Sequence, residues 1–270
     1  MGEQREAMPA LTGRRVVVVG GSSGIGRGVA ERAIACGAQV VVAARRVDRL
    51  KELVVEAGAG HLVELDLRVD ESCQSFVDSV RSALGVVDLL FVSAGVARLK
   101  SFRQTGKDDW LRALDTNVIG IHRLIANLLD VFDPHAVVAV VSTEAVDSPR
   151  SHLGAYGASK AALEHSLAQW REELPTIRFT TISLGATVPT EFGRGFDPDE
   201  IIDAMHKWTE AGRSQSAFMD TNEVCDVLTH TLGSLVAAPS VGVPFIALRA
   251  PAAIATDADA VTATALDHRR

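Results

Sequence analysis

Tyr156 is the chain's only tyrosine, and Lys160 follows it in the run Tyr156-Gly157-Ala158-Ser159-Lys160. Residues four apart share one face of a helix, so this spacing predicts a phenol beside an ammonium. A free phenol titrates near pH ~10 and exchanges protons poorly at neutrality. A neighbouring ammonium stabilises the phenolate and lowers that value. Such a pair can give a proton to a carbonyl oxygen as hydride reaches the carbon, and can take one back in reverse.

A second run bears on the source of that hydride. Gly20-Gly21-Ser22-Ser23-Gly24-Ile25-Gly26 follows the apolar stretch Arg15–Val19 and opens a helical one. Glycine allows left-handed backbone and close approach of a ligand. The N-terminus of a helix presents free N–H groups and a positive dipole end to a pyrophosphate. Strand, glycine-rich turn and helix in that order are the context a dinucleotide-binding turn requires. After the next apolar stretch comes Ala43-Ala44-Arg45-Arg46, two cations where an NAD-binding turn carries an acid for the ribose 2′-hydroxyl. Arginines there suit a 2′-phosphate, so NADP(H) is expected over NAD(H), which stays the alternative. Arg27 is a further candidate cation near the turn.

Positioning these groups calls for alternating strands and helices. Strands are expected at Arg15–Val19, Gln39–Ala43, His61–Leu65, Val87–Val92, Ala136–Val141, Ile177–Ser183 and Val243–Leu248. Helices are expected at Ile25–Cys36, Val47–Ala57, Glu71–Leu84, Asp108–Leu129, Ala155–Glu173, Pro198–Ala211 and Thr221–Val236. Unbroken Val/Ile/Leu runs indicate strands buried on both faces, hence a parallel sheet. The expected fold is a Rossmann-type, doubly wound α/β sheet of about seven strands with helices on both faces. With no linker-like stretch or repeat, residues 13–250 read as one dinucleotide-binding domain between tails at 1–12 and 251–270.

Composition excludes other classes. A net charge of −7 and 5% aromatic residues fit neither phosphate neutralisation nor base stacking, so no nucleic-acid partner is expected. The N-terminal residues lack a signal-peptide core, and the longest apolar runs are too short to span a bilayer, so a cytoplasmic protein without a membrane partner is expected. Cys36, Cys73 and Cys225 are scattered, and no residues stand at metal-ligand spacing, so no metal is expected.

The glycine turn and the Tyr156/Lys160 pair together resemble the short-chain dehydrogenase/reductase family, classical type, across residues 12–250. The resemblance implies interconversion of a carbonyl and a secondary alcohol on a small molecule. It makes Tyr156 the acid/base and gives Lys160 a second role, on the nicotinamide ribose. The family's serine, thirteen residues before the tyrosine, becomes Thr143, with Ser142 as the fallback. Its helix asparagine, which supports a water relay to the lysine, becomes Asn117. Ala44 holds the place of the NAD-selecting acid, and Asp66-Leu67 that of the adenine contact. Ala94-Gly95 matches the stretch beside the adenine ribose, although Val92 and Ser93 replace two asparagines. Leu184-Gly185-Ala186-Thr187 matches the stretch near the nicotinamide, with leucine for proline. A substrate lid follows near 187–218. Thus the expected dinucleotide contacts are Gly20, Ser22, Ser23, Gly24, Ile25, Gly26, Arg45, Arg46, Asp66, Leu67, Ala94, Gly95, Tyr156, Lys160, Gly185 and Thr187. The family also implies a homotetramer or homodimer through the helices near Asp108–Leu129 and Ala155–Glu173. The departures from the family pattern leave a second reading, an inactive NADP(H)-binding sensor or scaffold.

His152 lies four residues before Tyr156, but an isolated histidine is read as structural. Trp110, Trp170 and Trp208 are read as packing residues of helices.

Overall fold

Val16–Val19, Val40–Ala43 and Leu89–Val92 are buried at every position, so each needs cover above and below the sheet. The computed structural model describes residues 11–267. Its elements are β1 (Arg15–Val19), α1 (Gly24–Ala35), β2 (Gln39–Ala44), α2 (Val47–Ala57), β3 (His61–Glu64), α3 (Asp70–Leu84), β4 (Val87–Val92), α4 (Lys107–Leu114) and α5 (Gly120–Leu128). There follow β5 (Phe132–Thr143), α6 (Gly154–Glu173), β6 (Arg178–Leu184), β7 (Thr187–Val188), α7 (Pro198–Glu210), β8 (Met219–Asp220), α8 (Thr221–Ala237), β9 (Phe245–Leu248) and α9 (Ala258–Asp267).

Seven parallel strands form one sheet in the order β3-β2-β1-β4-β5-β6-β9, and β7 and β8 pair separately. Alternation along each strand divides the core. Val17, Val41, Leu90 and Val138 meet Phe76 of α3, Ile121 of α5 and Leu163 of α6. Val16, Val40, Leu89 and Val137 meet Val29 of α1, Leu50 of α2 and Leu228 of α8. This is the expected doubly wound Rossmann-type sheet. The strand order reverses between β1 and β4, which opens a crevice at their C-terminal ends. Val19 is level with Val92, and Val92 with Val140. β5 therefore runs three residues past that level and carries Thr143 beyond the rim, beside Leu184.

Three expectations change. The helix expected over Asp108–Leu129 is divided by a π-helical turn at Asp115–Ile119. Such a turn fits an extra residue into the helix. Gly120 is required just after it: a Cβ there would meet the Leu67 carbonyl at 2.6 Å. The C-terminal stretch expected as a loose tail instead contains α9, whose Val261 packs with Ile201 and Met205 of α7. The N-terminal tail expected over 1–12 lies mostly outside the described residues. Leu11 and Thr12 are anchored, Leu11 in the core and Thr12 by a 3.0 Å bond to the Cys36 carbonyl.

Candidate active site

A cavity of about 740 Å³ begins at the glycine turn and ends under the segment after β7. All sixteen expected dinucleotide-contacting residues line it, with Ser142 and Thr143.

At its mouth, β1 delivers the chain into Gly20, whose φ is 93°. A Cβ on Gly26 would stand 2.3 Å from Ser93 Oγ and 2.4 Å from the Gly20 carbonyl. The turn therefore closes against itself and against the loop after β4, and only glycine fits. Ser93, in an asparagine position of the family, donates its N–H to the Val19 carbonyl at 2.9 Å and ties the two loops together. Ser23 begins α1 without capping it through its side chain, and the first turn carries no acid. The uncapped N–H groups and the helix dipole suit a pyrophosphate.

Beyond β2, Arg45 is exposed on the cavity wall, with the buried Ala44 beside it. Arg46 donates to Ser22 Oγ and Ser23 Oγ, at 2.9 and 2.8 Å, and pairs with Glu191. Arg27 turns the other way, to Glu31 and Glu56, so it does not serve the turn. Asp66 is gripped by Arg68 through two side-chain bonds, and this pairing lowers its carboxyl to about 2.

At the far end, Tyr156 and Lys160 share a face of α6, both buried. The Thr143 hydroxyl faces the Tyr156 phenol and favours its charged form. Ser142 points to the opposite side of β5 and donates to Glu164 of α6. Strand alternation thus separates the two candidate hydroxyls, and Thr143 is the one at the phenol. Lys160 Nζ donates to the Val141 carbonyl at 2.7 Å. Its burial lowers it to about 8, against the opposing pull of Glu164. The expected lowering of the phenol by Lys160 is not what this arrangement gives. Burial pushes Tyr156 above its ordinary value, and the neighbouring Thr143 hydroxyl only moderates the rise.

Asn117 is fully buried and does not line the cavity. Its Oδ1 accepts from Val96 N–H at 2.8 Å, and its Nδ2 donates to the Val96 carbonyl and to Ser159 Oγ. Gly95 fits between Asn117 Oδ1 and Lys160 Nζ, which would stand 3.4 and 3.5 Å from a Cβ there. Gly185 and Thr187 close the opposite wall, with the Thr187 hydroxyl bonded to the Gly185 carbonyl.

The model of the family described as short chain dehydrogenase matches residues 14–200. This chain belongs to that family. A sulfoacetaldehyde reductase of Chromohalobacter salexigens is 32% identical to this chain over 209 residues, covering 73% of this chain and 81% of its own. A glycine betaine reductase of Emericella nidulans is 29% identical over 241 residues, 85% of this chain. The match spans only 18% of that relative's length, and one to a Pseudocercospora fijiensis short chain dehydrogenase spans 64%. Among solved structures, an alcohol dehydrogenase of Thermococcus sibiricus complexed with 5-hydroxy-NADP superposes with a TM-score of 0.74 at 23% identity, covering 88% of this chain and 97% of its own. A Brucella melitensis family member gives 0.76 at 22% identity, with coverages of 89% and 97%. Both show the shared fold.

Further residues of the site are not evident from the sequence. Glu164 continues the Tyr156/Lys160 stripe by another four residues, a signal the spacing did hold. Glu144, joined to Arg150 and Arg249, also lines the cavity. Trp208, read as packing, lines it too, with its indole N–H donated to the Ser151 carbonyl. His152 is buried with a φ of 66°, and Nε2 lies 2.9 Å from Asp203 and 3.3 Å from Glu200. It ties the loop before α6 to α7.

Among the described residues, no group of three or more His, Cys, Asp or Glu could hold a metal. No described helix is long and apolar enough to cross a membrane.

Proposed function

We propose that the protein interconverts a carbonyl and a secondary alcohol on a small molecule with a nicotinamide dinucleotide, NADP(H) in preference to NAD(H). One observation carries this reading: the buried Tyr156 phenol and the half-buried Thr143 hydroxyl lie together at the far end of the cavity that begins at the glycine turn. The turn of residues 20–26 would hold the pyrophosphate, Arg45 and Arg46 the 2′-phosphate, and Gly185 and Thr187 the nicotinamide end. Asp66, Leu67, Ala94 and Gly95 would flank the adenosine. The glycine positions that admit no Cβ and the uncapped start of α1 fit that group. When bound, the dinucleotide supplies or accepts the hydride.

Thr143 orients the substrate oxygen toward the phenol. In reduction, Tyr156 donates its proton to that oxygen, becoming phenolate as the C–H bond forms. In oxidation it takes the proton back. Lys160 returns the proton to the phenolate, and its second place is on the nicotinamide ribose. Asn117 holds the Val96 backbone and so places Gly95 against Lys160, a positioning role for the proton path.

The absence of an acid at Ala44 and the presence of Arg45 support NADP(H). So does the Thermococcus structure, which was complexed with an NADP derivative. Paired titrations with NADPH and NADH test this. NADPH should bind at least ~10-fold more tightly, about 1.4 kcal/mol. Preference for NADH would overturn the 2′-phosphate assignment. Tight NADPH binding with no turnover of any aldehyde or ketone would replace the enzyme by a sensor.

A further inference from the structure

We infer that the substrate carries a bulky, uncharged hydrocarbon group, aromatic or alicyclic, beside its reacting carbon. This deepens the carbonyl–alcohol reading and rests on it for what faces Tyr156.

The wall around the phenol is a small core of its own. Leu99, Leu153, Phe192, Ile201, Met205 and Trp208 line the same cavity as Tyr156. Leu99, Leu153, Ile201 and Met205 belong to one apolar cluster with the tyrosine ring. α9 packs onto this cluster through Val261, so the C-terminal stretch helps build the chamber.

Its polar groups are turned to other tasks. The Trp208 indole N–H is bonded to a backbone carbonyl. Arg150 pairs with Glu144, Arg194 lies against Glu191, and His152 is held by Asp203 and Glu200. A charged substituent placed against Ile201 and Met205 of α7 would lose its water to apolar side chains.

One ring is left over. The Phe192 ring lies tilted against Tyr156, centroids 5.2 Å apart, and meets Phe196 edge to face at 5.6 Å, yet is 46% exposed. A large ring left half in water directly over the acid/base group is a surface an apolar ligand would cover. Arg112, from α4, also lines the cavity and is the natural competitor for an anionic ligand.

The test is a calorimetric titration of the protein, alone and with NADP⁺, which cannot reduce a ketone. The probes are acetophenone, its para-sulfonate and hydroxyacetone. The inference expects acetophenone to bind at least ~10-fold more tightly than either. Phe192→Ala should weaken acetophenone about fivefold or more without moving hydroxyacetone. Because Phe192 is half exposed, that variant should keep its fold, which circular dichroism checks. Equal or tighter binding of the sulfonate would move recognition to Arg112 and overturn the inference. So would unchanged binding in Phe192→Ala, or binding of none of the three. Turnover of hydroxyacetone with NADPH alongside any of these would leave the oxidoreductase reading standing, so the two fail separately.

Discussion

The Arg46 guanidinium joins Glu191 of the segment after β7 to Ser22 and Ser23 of the glycine turn. One cation thus links the place proposed for the 2′-phosphate to the segment over the substrate end. Both partners are about one-third exposed, so the pair itself stabilises weakly. A phosphate offers Arg46 more charge and more acceptors than one carboxylate does. Glu191→Gln should therefore tighten NADPH a few-fold and leave NADH unchanged. Arg45→Ala and Arg46→Ala should each weaken NADPH roughly 10-fold or more, with little effect on NADH. Titration of the three variants with both dinucleotides checks this. Equal losses for the two dinucleotides would remove the arginines from the 2′-phosphate site.

The two hydroxyls at the end of β5 make separable predictions. Thr143 meets the phenol, and Ser142 meets Glu164 across the strand. Thr143→Val should lower kcat by about 10²-fold or more, while Thr143→Ser keeps most activity. Ser142→Ala should leave kcat within a few-fold. A larger loss at Ser142 than at Thr143 would reverse the assignment.

The pH dependence follows from Lys160. Burial sets it to about 8 and keeps the Tyr156 phenol protonated beyond that range. Reduction needs a protonated phenol and a cationic lysine, so kcat/KM should hold below about pH 8 and fall above it. Glu164 favours the cation, so Glu164→Gln should move that fall to lower pH. Stability changes in the opposite sense. The folded lysine titrates below its unfolded value of 10.5, so the unfolded chain binds more protons between about 8 and 10.5. Lys160 therefore makes stability rise with pH across that window. In Lys160→Met this rise should disappear from denaturant titrations run at several pH values.

The glycine turn is tested by adding one carbon. Gly26→Ala places a Cβ against Ser93 Oγ and the Gly20 carbonyl. Overpacking of this kind costs about 1–3 kcal/mol, so Tm should fall and dinucleotide affinity with it. Unchanged affinity would mean that the closed turn does not shape the site.

The homodimer or homotetramer implied by the family remains a proposal. Leu111 and Ile119 are about half exposed on the helical stretch expected to form the interface. Light scattering at micromolar concentration should give a multiple of the chain mass. A monomer would contradict the proposal.

What the sequence disclosed follows from how far each signal reaches. Tyr156/Lys160 and the glycine turn are local patterns, and the sheet follows from buried Val/Ile/Leu runs. Ser142 and Thr143 are neighbours on opposite faces of a strand, so only the register could choose between them. The π-helical turn at Asp115–Ile119 answers to a bond between Asn117 and Val96, twenty-one residues apart. The Arg46–Glu191 link spans 145 positions and leaves no trace in spacing. α9 lay in an Ala- and Thr-rich stretch, where only its contact with α7 shows it to be part of the chamber.

The central claim is that the Tyr156 phenol is the acid/base of a nicotinamide-dependent carbonyl–alcohol interconversion. The direct test follows the absorbance of reduced nicotinamide across a panel of aldehydes and ketones, for the wild type and for Tyr156→Phe. Calorimetry measures NADPH affinity in the same two proteins. The wild type should oxidise NADPH in step with carbonyl loss, and Tyr156→Phe should bind NADPH as tightly while losing about 10²-fold or more of that rate. Equal rates in the two proteins would contradict the claim.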